Sequence, residues 1–312
     1  MKACSFLPAA TRMIYDMGLQ DLLVGVTFEC TAEAAGKPKV VRCLLEGKKY
    51  SSAEIDKIFS ASKAQGKSLY YVDQELLREL EPDIIFTQDV CEVCQIDTAC
   101  TAAAIANLEK QPLVISLTPR DLEDVFQTAL TIAGALGRAE AAHRYLADLQ
   151  KKMGNIQDIL RKNKLPRVRV MLMEWIDPVY NCGHWIPKQI AKAGGIDRLA
   201  NPAGDSAVIS WERIIKYNPA VLIVAPCGFS TGRSLEEMPL LFQKQGWMGM
   251  DAVQHNRVYV LDYDLFTQPS AGTLVDGIEL LAALFFPQLF TVPRQLQNKF
   301  VHWQIQNQPG YA

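Results

Sequence analysis

An α/β fold of two like lobes with parallel-rich sheets, joined by one long helix, is predicted by three features of this sequence. Short apolar runs alternate with amphipathic segments along most of the chain, the pattern of strands connected by covering helices. Residues 139–163 keep helical spacing throughout, and about 25 residues at about 1.5 Å each reach about 37 Å, more than one small lobe needs. A helix end, a proline and a buried strand also occur twice, from Leu77 to Thr87 around Pro82 and from Ile214 to Val224 around Pro219.

The elements follow in order. Lys2 to Phe6 reads as a strand that turns at Leu7-Pro8 into a helix through Met13, Ile14 and Met17. Gly18 closes that helix, because glycine alone takes the left-handed backbone cheaply. Leu23 to Thr27 is a second strand, and Ser51-x-x-Glu54 is a capping box for a helix through Ile55 and Ile58. Asp73 caps a helix over 74–80 that stops before Pro82, and Ile84 to Thr87 is the buried strand that follows. Leu122, Val125, Phe126, Ala129, Ile132, Ala133 and Leu136 mark one long helix, and Ala142 through Leu160 mark the next. Pro166 opens the strand Val168 to Met173. Gly18-Leu19 is echoed by Gly195-Ile196, each after a strand and a helix. The boundaries are therefore 1–120 for the N-terminal α/β lobe, 121–165 for the connecting helices, 166–290 for the C-terminal α/β lobe and 291–312 for a Gln-rich, loosely docked tail.

Composition narrows the function. The 312 residues include 32 Lys+Arg and 34 Asp+Glu, for a formal net charge of -2, so no nucleic-acid partner is expected. No apolar run reaches the roughly 18 residues that span a bilayer. Pro8, Thr11 and Arg12 interrupt any export signal, so the chain as written reads as cytoplasmic, and as periplasmic or cell-surface only if a leader was trimmed. The eight cysteines then read as reduced thiols rather than a disulfide framework. Phosphate-loop, dinucleotide, nucleophile-elbow and zinc-helix motifs are all missing, so the chain reads as a non-enzymatic binder without a catalytic cofactor.

Ligands of open α/β sheets bind beyond the carboxyl ends of the strands. The loops there supply Pro8, Ala10, Phe28, Glu29, Gln88, Cys91 and Glu92 in the first lobe, and Trp175, His184, Trp185, Cys227, Phe229 and Phe266 in the second. Aromatic rings in loops suit a large, flat, partly apolar ligand. Arginine is missing from these positions, which weighs against an anionic ferric chelate. Cys91-x-x-Cys94 can hold half a zinc site or a redox pair, but no second pair completes it, so no metal site is assigned. His184 either ligates a metal centre or hydrogen-bonds the ligand or its own loop.

Several of these stretches carry a family resemblance: Ser5-Phe6-Leu7-Pro8-Ala9-Ala10-Thr11, Glu81 through Cys94, Glu174-Trp175-Ile176-Asp177-Pro178, Gly183-His184-Trp185-Ile186-Pro187 and Ala225-Pro226-Cys227-Gly228-Phe229. With Gly246-Trp247, Arg257-Val258-Tyr259 and Leu274 through Glu279, they resemble the cobalamin-binding branch of ABC-importer substrate-binding proteins over about residues 3–290. The chain departs from that branch at Thr31-Ala32-Glu33, where an acidic residue and a Tyr-Pro pair are usual, and at Leu265-Phe266-Thr267-Gln268-Pro269. The resemblance implies two Rossmann-like lobes bridged by a helix and a corrinoid (cobalamin-like) ligand in the cleft between them. It further implies a monomer serving import through an ABC permease or carriage inside the cell. Glu92 on the first lobe and Glu236 or Glu237 on the second are the expected docking acids. Binding of an iron-siderophore or haem chelate is the alternative on the same scaffold, and a metal or redox enzyme using Cys91, Cys94 and His184 is the alternative of another class.

Overall fold

The computed structural model describes residues 1–30, 32–88, 98–106, 108–202 and 204–304. The chain forms two compact units, one of Met1–Tyr50, Glu54–Asp148 and Ser270–Gly272, the other of Ser51–Ala53, Leu149–Pro269 and Thr273–Ala312. The first contains β1 (Ala3–Ser5), α1 (Pro8–Asp16), β2 (Leu23–Thr27), β3 (Lys39–Cys43), most of α2 (Ser52–Ala64), β4 (Tyr70–Val72), α3 (Gln74–Leu80), β5 (Ile84–Thr87), α4 (Thr98–Ile105), β6 (Leu113–Ser116) and α5 (Leu122–Ala135). Helix α6 (Ala139–Asn163) belongs to the first unit up to Asp148 and to the second from Leu149. Segment 121–165 is thus no separate connector, because α5 packs on α1 inside the first unit.

The second unit continues with β7 (Val168–Met173), α7 (Ile186–Lys192), β8 (Gly195–Ile196), α8 (Trp211–Tyr217), β9 (Val221–Val224), α9 (Thr231–Phe242), α10 (Asp251–Gln254), β10 (Val258–Leu261), α11 (Ala271–Phe285) and β11 (Phe300–Trp303). The sheet orders are β4-β3-β2-β1-β5-β6 and β11-β10-β9-β7-β8. All pairings are parallel except those of β4 with β3 and β11 with β10. Central strands covered on both faces read as unbroken apolar runs, and the four residues of β5 and of β9 are all buried.

The internal repeat has a structural cause. Helices α3 and α8 end on left-handed residues, Glu81 (φ 47) and Asn218 (φ 50), whose N–H groups donate to Leu77 O and Ile214 O. Pro82 and Pro219 follow and prevent continuation, so each chain enters its central strand at the same point. The glycine echo sits one residue earlier than the sequence suggests. Gly18 (φ 71) follows α1, and its equivalent after α7 is Gly194 (φ 89). Gly195 is small for a different reason: a Cβ there would lie 2.7 Å from Phe285 and 2.8 Å from Ile190.

Segment 291–304 is not a loose tail. Strand β11 pairs with β10 along four residues, and Trp303 packs against Phe242 (4.8 Å between centroids) and Trp247 (5.6 Å) in the core of the second unit. Trp303→Ala should lower stability by about 3–5 kcal/mol. Denaturant unfolding monitored by circular dichroism measures this, and a loss below about 1 kcal/mol would show that β11 contributes little.

Candidate functional site

Each sheet reverses its winding at one strand pair, β1/β5 in the first unit and β7/β9 in the second. The loops after these strands leave in opposite directions, which opens a crevice at the carboxyl ends.

In the first unit, α1 starts at that edge with Pro8 at its first turn. Pro8 and Ala10 are buried. Arg12 is committed to Asp16 (2.8 Å) and Glu33 (3.2 Å), and Tyr145 donates to the other oxygen of Asp16 at 2.9 Å. Phe28, half-buried, leans on Tyr70 with centroids 6.4 Å apart. Glu29 follows it, and burial pushes its carboxyl up to about 7. The neighbouring Cys30 thiol donates to Thr11 Oγ1 at 3.2 Å and is also pushed up by burial. Gln88 is buried at the end of β5. Cys91, Cys94 and Glu92 lie outside the described residues.

In the second unit Trp175 meets Phe229 (5.1 Å), and the Arg233 guanidinium lies 4.5 Å over the other ring partner's centroid, that of Phe229. Arg233 also binds Glu237 at 2.5 Å. Glu174 ties three loops: its carbonyl accepts from Cys227 N (3.0 Å), its own N–H donates to Tyr180 O (3.3 Å), and its carboxylate accepts from Gly183 N (3.1 Å). A Cβ on Gly183 would lie 2.5 Å from Gly204 O and Ser206 N, so only glycine permits this close backbone approach. His184 follows with φ 52, held by its N–H to Gly204 O at 2.9 Å. Its ring stacks on Trp185 (5.2 Å), and Nε2 lies 3.8 Å from Asp205. Burial lowers the His184 pKa against the opposing pull of Asp205, which favours a neutral imidazole.

Trp185, Phe229 and Phe266 are buried, with Phe266 fully enclosed. Trp185 donates its indole N–H to Phe266 O at 2.5 Å, so this pair locks two loops together instead of presenting open rings. Trp175, His184 and Cys227 are the predicted residues of this unit left partly accessible. Of the predicted docking acids, Glu237 is excluded by burial: its side chain is 7% exposed and accepts from Ser52 N (2.8 Å) as well as Arg233, whereas Glu236 is 49% exposed. Among the described residues no group of three or more His, Cys, Asp or Glu is placed to hold a metal ion.

Sequence reasoning missed the supporting residues. Asp197 accepts from Leu172 N, Leu199 N and Ala200 N, and burial still pushes its carboxyl up to about 6. Gln189 donates to Leu265 O and Leu274 O, fixing the Phe266 loop. Lys299 lies 2.7 Å from Asp264 and 3.6 Å from Asp262 beside the same loop. A polar residue on an otherwise apolar helix face, as Gln189 is in Ile186–Lys192, is the one available signal.

Glu29 gives a pH test. Its folded pKa is raised from 4.5 to about 7, so the stability linked to the neutral carboxyl is full below pH 4.5 and is lost as pH rises through about 7. Glu29→Gln should therefore be near neutral at pH 5 and stabilising by about 1–3 kcal/mol at pH 8.5, read as a change in Tm. Equal effects at both pH values would show that Glu29 is ionised in the folded state throughout.

Comparisons agree with this architecture. The periplasmic binding protein family model matches residues 8–265. The Bacillus subtilis (strain 168) protein YvrC, described as an uncharacterized ABC transporter substrate-binding lipoprotein, is 24% identical over 299 residues, spanning 93% of this chain and 81% of that protein. A periplasmic heme binding protein from Pseudomonas aeruginosa superposes with TM-score 0.68 at 19% identity, covering 92% of this chain and 93% of the other. The periplasmic vitamin B12 binding protein BtuF of Vibrio cholerae superposes with TM-score 0.62 at 16% identity, covering 92% and 97%. Matched from the first helix to the Phe266 loop, the chain belongs to the periplasmic binding protein family.

Proposed function

We propose that this substrate-binding protein of the ABC-import type holds a corrinoid at carboxyl-end loops of the kind that carry Trp175 and His184, making and breaking no bonds. The observation that carries the reading is the character of those loops. Trp175 offers a partly accessible indole, Glu29 and His184 are biased toward neutral forms, and Arg12 and Arg233 are spent on carboxylates. A large, nearly neutral macrocycle bearing amide groups suits such a surface better than a ferric chelate carrying net negative charge. The vitamin B12 binder among the structural neighbours supports the same choice. Exposed Glu236 is the acid we assign to permease docking on the second unit. Among the described residues no helix is long and apolar enough to cross a membrane.

Haem is the second reading. It is favoured by His184, whose neutral imidazole is a potential iron ligand, and by the heme-binding neighbour.

Calorimetric titration with cyanocobalamin, cobinamide, hemin and a ferric siderophore separates these. Micromolar or tighter one-to-one binding of a corrinoid is expected, weakened about five- to tenfold by Trp175→Ala. No heat and no thermal shift with either corrinoid sinks the proposal. Hemin binding with a Soret change that His184→Ala abolishes would replace it with the haem reading.

A further inference from the structure

The second unit also carries a depression of about 620 Å³ at the opposite, amino-terminal end of its sheet. It lies where β7, β9 and β10 begin and where α11 ends, and Arg167, Arg169, Arg257 and Tyr259 line it above an apolar floor that includes Leu165 and Phe285. The chain leading in is strongly basic: Arg161, Lys162, Lys164, Arg167 and Arg169 fall within nine residues that contain no acid.

Arg167 and Arg257 are held in place without being neutralised. Arg257 donates to Leu284 O (3.1 Å) and Phe285 O (3.0 Å), two of the last carbonyls of α11. Arg167 donates to Gly195 O (3.3 Å). Backbone carbonyls orient these two groups, and neither has a carboxylate partner among the described residues. Each guanidinium has five N–H donors, so most remain unspent. Arg169 alone is paired, to Asp251 at 2.7 Å, and it also donates to Asn218 O. The Tyr259 ring is fixed between Phe300 and His302, 6.5 and 4.9 Å away.

We propose that this depression is a second binding site, separate from the carboxyl-end loops, for a phosphate ester. Planar guanidiniums match phosphate oxygens in paired hydrogen bonds, Tyr259 adds a hydroxyl donor, and the apolar floor suits the organic part of an ester. The same chemistry is offered by a free phosphorylated metabolite and by the headgroup of an anionic phospholipid.

The test titrates the full chain with ADP and glycerol 3-phosphate, and sediments it with phosphatidylglycerol or phosphatidylcholine vesicles, at low and high salt. Binding to a soluble ester, weakened about tenfold by Arg167→Gln and unchanged by Arg144→Gln, assigns the site to a free ligand. Sedimentation with phosphatidylglycerol alone, lost in Arg167→Gln but kept in Arg144→Gln, assigns it to a lipid headgroup. Arg167 is exposed, so its substitution leaves the fold intact, and Tyr259→Phe removes the hydroxyl without emptying the packing. No binding of any probe, or binding that survives both Arg167→Gln and Tyr259→Phe, overturns the proposal.

Discussion

In a parallel sheet wound both ways, the loops at the reversal leave toward opposite faces, and in the second unit Glu174 is what holds them together. Its backbone meets the loop after β9 at Cys227 and closes on Tyr180, while its carboxylate reaches the Gly183 turn. Trp175 and Phe229 then stack across the same gap. Because the carboxylate accepts from a backbone N–H inside the fold, shortening it would leave a buried donor unsatisfied. The orientation of His184, one residue beyond, depends on this arrangement, as does the indole of Trp175, one residue after Glu174.

Charge is distributed by the same economy of donors and acceptors. Around the carboxyl-end loops, cations meet anions inside the protein: Arg12 with Asp16 and Glu33, Arg233 with Glu236 and Glu237, Lys299 with Asp262 and Asp264. Glu29 and Asp197, which have no such partner among the described residues, are raised by burial toward neutrality. The amino-terminal edge of the second sheet is built the other way, with arginines resting on carbonyl oxygens and keeping their charge. One unit therefore offers a nearly neutral surface at one end of its strands and a cationic one at the other.

Long periodic elements were legible in the sequence, as were strands framed by proline. Strand β5, strand β7 and helix α6 run over the residues that periodicity marks, and Asp73 caps α3 through a hydrogen bond from Leu76 N. Strand β3 and the edge strands β4 and β6 were not read, because three to five residues carry too little pattern. Loop position singles out Trp175, Glu29 and His184 as candidates, but not which aromatic side chains turn inward. Trp185 and Phe266 look identical to surface anchors until the hydrogen bond between indole and carbonyl is known. Glu237 likewise reads as a solvated acid beside Glu236, and only the helical phase of α9 sends one inward and the other out.

Strand β11 has a consequence for the order in which the protein is made. It covers the edge of β10, yet it is supplied by residues 300–303, which begin 39 positions after the strand they protect ends at Leu261. The first unit also draws on Ser270–Gly272, where Gly272 sits so close to Asp16 and Tyr145 that a Cβ would meet them at 2.6 and 2.8 Å. During synthesis, neither unit can be completed by the residues that precede the other. The β10 edge stays open on the nascent chain until residues 300–303 emerge, a template for unwanted strand pairing. The two units are therefore completed in turn, the first when residues 270–272 emerge and the second when residues 300–303 do.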